Sequence, residues 1–259
     1  MHLFQCQYRL ILQRLIGGFI RQVFRQRFSH SQVLLKIQSR LSQRILIVLL
    51  ATLSYVSVAQ AFEKPNPASK NSSQNLLVLG DSLSAAYGMR VTQGWVALLA
   101  DRLQSKNIRV INASISGDTT SGGKNRLPSL LKTHQPNWVI VELGANDALR
   151  GQSLQATQRN LQTIIDLSQK TGAKVLLLGI RLPTNYGPAY DQMLQQTFKQ
   201  VATQNQLLFD PFFLETVALE PDLMQSDGLH PNADAQPKIL ERLWPLIQEL
   251  ITSSTKQAA

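Results

Sequence analysis

From Leu76 to Leu79 the chain is uniformly apolar, Leu-Leu-Val-Leu, and the run stops at Gly80. A strand buried on both faces reads this way, because both rows of its side chains must be apolar. Similar runs, rich in Val, Ile and Leu, recur at Ile108–Ile111, Trp138–Leu143, Lys174–Ile180 and Leu207–Phe209. Between them the apolar spacing turns helical. Trp95, Leu98, Leu99 and Leu103 stand at i, i+3, i+4 and i+8. Leu154, Leu161 and Ile165 continue the theme in a segment ending before Gly172, and Ile239, Leu243, Leu246, Ile247 and Leu250 share one face of the last segment. In that segment Pro237 falls in the first turn, where it is tolerated, whereas Pro245 should kink the helix. Strand and helix alternating about five times predict an α/β domain, its parallel sheet covered on both faces. Ligands of such domains bind beyond the C-terminal ends of the strands.

The N-terminal residues follow another pattern. Residues 1–44 carry eight Lys or Arg and no acid, so the formal net charge of +10 leaves only +2 for the remainder. The basic character belongs to this leader, and nucleic acid is not an expected partner of the body. Ile45 to Val58 is an apolar run of 14 residues, followed by Ala59-Gln60-Ala61. A basic region, a short apolar region and a small-x-small site make residues 1–61 a leader with a secretory signal peptide, cut after Ala61. A retained membrane anchor is the competing reading, although a span takes about 20 apolar residues. Residues 62–74, rich in Pro, Asn, Ser and Lys, read as a linker, 75–253 as one domain and 254–259 as a tail. The only cysteine, Cys6, lies in the leader, so the body has neither a thiolate nucleophile nor a cysteine metal site.

Four loops at predicted strand exits carry residue types that do chemistry. They are Gly80-Asp81-Ser82, Ser116-Gly117-Asp118-Thr119, Gly144-Ala145-Asn146-Asp147 and Asp227-Gly228-Leu229-His230-Pro231. Taken alone, Asp81 and Ser82 would serve equally well to cap a helix. Beyond the leader the only histidines are His134 and His230. His134 sits at a helix exit before Gln135-Pro136 and is expected to be structural or solvent-exposed. His230 follows Asp227 by three residues with Gly228 between them, so one tight turn aims the carboxylate at the ring. That contact selects the tautomer and stabilises the imidazolium formed when the ring takes a proton. Asp81, Asp118 and Asp147 read as acceptors that fix their loops. With two separated histidines and no cysteine in the body, neither a metal nor a cofactor is expected.

In order, Gly80-Asp81-Ser82-Leu83, Gly117, Gly144-x-Asn146-Asp147 and Asp227-x-x-His230 match the four blocks of the SGNH (GDSL-type) hydrolases. The chain resembles that family from Leu76 to Leu250, nearly all of the body. Asn112 to Thr119, Ile180-Arg181-Leu182-Pro183 with Asn185-Tyr186-Gly187, and His230-Pro231-Asn232 are similar to the bacterial periplasmic acyl-CoA thioesterase I, lysophospholipase and arylesterase group. The resemblance implies a flavodoxin-like three-layer α/β/α sandwich with a mainly five-stranded parallel sheet. It also implies a serine hydrolase of carboxylic esters and thioesters that works through an acyl-enzyme. Ser82 would be the nucleophile, His230 the general base and then acid, and Asp227 its orienter. The backbone N–H groups of Ser82 and Gly117 and the Asn146 amide would hold the oxyanion. The expected enzyme is a periplasmic or secreted monomer without cofactors.

The stretches from Ala148 to Ser153 and from Leu182 to Tyr190 should border the cleft. Leu149, Pro183, Tyr186 and Tyr190 are the candidates to line an acyl channel, the alternative being Leu149 in the core and the tyrosines on the surface. Small-molecule or lipid esters are the expected partners, with contact at a membrane surface giving access to lipid. An export address favours envelope lipid esters over cytosolic acyl-CoA. Two other readings of the same residues stay open. One is an SGNH carbohydrate esterase that deacetylates a glycan; the other is a lipid-binding protein that keeps the scaffold without catalysis.

Overall fold

The computed structural model describes residues 74–253. The leader, its apolar run, the signal site, the linker up to residue 73 and the tail lie outside the described residues. Five strands, β1 (Gln74–Gly80), β2 (Ile108–Asn112), β3 (Trp138–Glu142), β4 (Lys174–Leu178) and β5 (Leu208–Asp210), form one parallel sheet in the order β2-β1-β3-β4-β5. The α/β class and the five-stranded parallel sheet are as expected. β1 begins at Gln74, inside the stretch read as linker, because Gln74 pairs with Ile108 and its N–H reaches the Asn107 carbonyl at 3.2 Å. Leu76 to Leu79 are completely buried, as a central strand covered on both faces requires.

Six helices follow: α1 (Trp95–Leu103), α2 (Thr120–His134), α3 (Ala145–Leu149), α4 (Leu154–Lys170), α5 (Pro188–Gln204) and α6 (Ala235–Thr252). α1 lies against α6 on one face of the sheet, while α2, α4 and α5 lie side by side on the other. In α1, Trp95, Leu99 and Leu103 are fully buried at helical spacing. α6 includes Pro245, the residue expected to kink it, and stays helical on both sides of it. Proline removes one hydrogen bond from the ladder. The helix survives it because Leu243 before the proline and Ile247 and Leu250 after it are buried. Among the described residues no helix is long and apolar enough to cross a membrane.

Two features of the sheet position the site. From β1 the chain turns to β2 on one side and later returns to β3 on the other. The connections leaving β1 and β3 therefore diverge, which opens a crevice at their C-terminal ends. The β1/β3 register also sets Gly80 opposite Glu142, so Asp81 and Glu142, 61 apart in sequence, meet at that edge.

Candidate active site

Ser82 follows β1 on a turn that runs to Gly88 rather than on a helix. The turn is tied down from within: Asp81 Oδ1 accepts the Leu83 N–H at 3.0 Å, and the Ser82 carbonyl accepts the Tyr87 N–H at 3.3 Å. Ser82 Oγ lies 2.9 Å from Nε2 of His230, across 148 residues of chain. His230 comes from the loop before α6. There Asp227 Oδ1 accepts the backbone N–H groups of Leu229 (2.9 Å) and His230 (3.0 Å), and Asp227 Oδ2 lies 2.7 Å from His230 Nδ1. A carboxylate only accepts, so Nδ1 carries the proton and Nε2 presents its lone pair to the serine hydroxyl. Burial alone would raise the Asp227 carboxyl. The two N–H groups and the imidazole outweigh it and hold the group down at about 2.

Gly117 and Asn146 line the same cleft as Ser82 and His230. Gly117 has φ +78°, a conformation open to glycine and costly for other residues. Its carbonyl accepts from Arg150 Nη2 at 2.9 Å, which secures the loop after β2 to the chain following α3. Asn146 stands on α3, a single short helix where a loop was expected. Gly144 starts it at φ +126°, and a Cβ there would come within 2.8 Å of the Phe198 ring. The Asn146 Nδ2 group donates to Asp81 Oδ2 at 3.0 Å. Because that carboxylate accepts, the amide nitrogen must face Asp81, and its second N–H remains available to the cleft.

The other acids hold loops. Asp118 pairs with Arg126 at 2.8 Å, and Asp147 accepts the Thr120 N–H at 2.8 Å at the start of α2. Asp81 and Glu142 form a buried pair. Burial pushes the Asp81 carboxyl up to about 6, against the lowering effect of the Leu83 N–H and the Asn146 amide. Burial, reinforced by the Asp81 charge, pushes Glu142 well above the ordinary carboxyl range.

The cleft holds about 620 Å³, and Leu83, Ile180, Leu182, Phe212, Leu214 and Met224 give it apolar walls. Leu149 and Pro183 line it, whereas Tyr186 and Tyr190 do not. The two phenols instead donate to the carbonyls of Leu149 and Ala148, each at 3.3 Å. Both carbonyls lie in the last turn of α3, where the Ala148 carbonyl also accepts the Gly151 N–H at 2.9 Å, so the tyrosines brace the end of the short helix. His134 stands at the far end of α2, a 15-residue helix about 20 Å long, and takes no part. Among the described residues no three of His, Cys, Asp and Glu cluster so as to hold a metal ion.

Two residues at the site were not singled out from sequence. Tyr87 stacks on the His230 ring with centroids 4.5 Å apart and planes tilted by 39°. Its only signal is an aromatic before a glycine just after the serine. Glu142 is the lone acid closing an apolar strand, Trp-Val-Ile-Val-Glu, and that isolation was its signal.

Residues 78–236 match the model of the GDSL-like Lipase/Acylhydrolase family. Esterase TesA of Pseudomonas aeruginosa is 49% identical over 180 residues, which cover 69% of this chain and 90% of that protein. The Escherichia coli protein named thioesterase 1/protease 1/lysophospholipase L1 is 49% identical over 176 residues, 68% of this chain and 84% of its own. A crystal structure of TesA superposes with a TM-score of 0.66 at 50% identity, over 68% of this chain and 99% of that one.

Proposed function

The chain belongs to the GDSL-like lipase/acylhydrolase family and is a carboxylic ester hydrolase; on that premise we propose that Ser82, His230 and Asp227 form its catalytic triad. The observation that carries this reading is the continuous line of hydrogen bonds from Asp227 Oδ2 through His230 to Ser82 Oγ, 2.7 and 2.9 Å long. Ser82 Oγ attacks the acyl carbonyl carbon while its proton passes to His230 Nε2. The electron pair displaced onto the carbonyl oxygen is met by the N–H groups of Ser82 and Gly117 and the free N–H of Asn146, each such donor being worth about 10²–10³ in turnover. Collapse of the intermediate expels the alcohol or thiol, which takes the proton from His230. A water activated by the same ring then releases the acid and restores Ser82.

The walls of the cleft favour acyl chains, and the substrates are aryl esters, acyl thioesters and lysophospholipids. Each methylene buried there contributes up to about 0.8 kcal/mol, or roughly fourfold in affinity. Among p-nitrophenyl esters kcat/KM is therefore expected to climb with acyl length until the cleft is filled. Labelling of Ser82 by an organophosphonate, located by mass spectrometry, tests the nucleophile in the same preparation. A preference for acetyl esters with no gain from longer chains would return the reading to a glycan deacetylase. Failure of the phosphonate to mark Ser82 would remove catalysis from it altogether.

The domain acts outside the cytoplasm, on lipid esters of the cell envelope, after cleavage behind Ala61. The basic region and apolar run before the linker support this. The exported protein should begin at Phe62, as read by mass spectrometry of its N-terminal peptide; an N-terminus still carrying the apolar run would make it anchored.

A further inference from the structure

Glu142 is almost wholly buried at the end of β3 and has no part in the reaction as described so far. Its Oε2 accepts the Asp81 N–H at 3.2 Å and the Ser84 hydroxyl at 2.7 Å. Asp81 and Glu142 are thus two buried acids in one corner, and burial together with the Asp81 charge pushes the Glu142 carboxyl well above the ordinary range. Two buried carboxyl groups so close together are not both ionised readily, so one of them is suited to carry a proton. Asp81 already accepts from Leu83 N and from Asn146 Nδ2, and is suited to stay the acceptor. Glu142, with no cation against it, is suited to keep the proton. Among the charged side chains of the described residues, only Asp81 acts on Glu142, and His230 acts in turn on Asp81. From α2, Arg126 reaches the neighbouring Gly80 carbonyl at 3.4 Å.

We propose that Glu142 is a positioning residue, whose carboxylic proton is donated to Asp81 so that Asp81 in turn aims the Asn146 amide into the cleft. The proposal rests on the reading of Ser82 as nucleophile and goes one layer beneath it. From Glu142 one line runs through the Asp81 carboxylate to Asn146, and a second through the Asp81 and Leu83 N–H groups to the turn that bears Ser82. Both partners of the nascent tetrahedral centre, the attacking oxygen and one oxyanion donor, thus hang on one buried carboxyl group. A buried carboxyl is a costly way to fill this corner. What it supplies that a hydrocarbon would not is a donor to Asp81 and an acceptor for the Asp81 N–H and Ser84 hydroxyl.

Glu142→Gln copies the protonated acid in shape, donor and acceptor, while Glu142→Leu keeps only bulk. The Gln variant should retain kcat within about threefold, and the Leu variant should lose about tenfold to a hundredfold in kcat with KM little changed, as displacement of reacting groups does. A Gln variant as impaired as Leu would overturn the proposal, and so would a folded Leu variant with wild-type kcat. If the Leu variant does not fold, melting temperature against pH decides. The Glu142 carboxyl lies above its unfolded value of 4.5. As pH rises past 4.5 the unfolded chain gives up this proton and the folded one keeps it, so this group erodes wild-type stability with rising pH. The melting temperature of the Gln variant relative to wild type should therefore increase from pH 4.5 to 8, and a flat or falling difference would overturn the proposal. Phosphonate labelling of wild-type Ser82 is read beside these variants. Loss of that label sinks the nucleophile, whereas an intact label with a failed Gln variant sinks Glu142 alone.

Discussion

Ser82→Ala is expected to lower kcat by about 10⁵–10⁶, the scale of losing a serine nucleophile whose partners remain in place. The size follows from what the hydroxyl does. It forms the bond to the acyl carbon, and no other side chain at the cleft stands 2.9 Å from His230 Nε2 ready to replace it. What survives in the variant is the remaining set of oxyanion donors and an imidazole able to activate water, which together leave a small rate above the uncatalysed one. Substrate affinity should change little, because the apolar walls from Leu83 to Met224 are untouched. Folding should survive as well, since Ser82 contributes to its turn through a backbone carbonyl rather than through Oγ. The check is turnover of a p-nitrophenyl ester by a preparation with wild-type melting behaviour, with active-site titration to exclude carry-over. More than about one per cent of wild-type turnover would mean that another group attacks.

Asp227→Asn is expected to cost about 10⁴ in kcat, although it changes one atom and no volume. Asp227 Oδ1 is held by two backbone N–H groups, from Leu229 and His230. An asparagine therefore keeps its oxygen there and turns its NH₂ toward His230 Nδ1. That nitrogen must then accept, so the ring proton moves to Nε2 and faces Ser82 Oγ, where a lone pair is needed. The loss should fall on kcat and on the rate of phosphonate labelling alike, with KM barely moved. The sign of the accompanying stability change is set by the depressed carboxyl at about 2. A lowered folded value stabilises above the unfolded one, here 3.8, and that contribution is lost as pH falls toward 2. Any advantage of wild type in melting temperature should thus be present at pH 7 and gone near 2. It should be small, because the Asp227 side chain is 39% exposed and solvent screens it. A variant with more than a tenth of wild-type turnover would mean that Asp227 does not set the tautomer.

Strands and the local part of the site were legible for the same reason. A buried parallel strand must be apolar on both faces, so β1 and β3 announce themselves over a few residues. Asp227 and His230 lie within one turn, and Gly228 at φ +65° lets that turn close. α5 was harder to delimit, because its buried positions Leu194, Phe198 and Val201 are diluted by glutamines and its start at Pro188 follows a short turn at Thr184–Tyr186. The two tyrosines near that start show the limit from the other side. An aromatic beside a cleft has an apolar face and a hydroxyl, and only the position of α3 decided that the hydroxyls would find the carbonyls of Ala148 and Leu149.

By itself the order of residues determined the α/β class, the strands, and which loops carry a serine, an amide and a histidine with its carboxylate. Those properties depend on side chains within about one or two turns of each other, where covalent geometry limits the arrangements. The tertiary structure alone decided that β1 lies between β2 and β3, that Gly80 faces Glu142, and that Tyr87 stacks on His230. Each of these joins segments tens of residues apart through strand register and loop packing. A one-residue slip of β3 against β1 would leave every local pattern intact and turn the Glu142 side chain to the opposite face of the sheet.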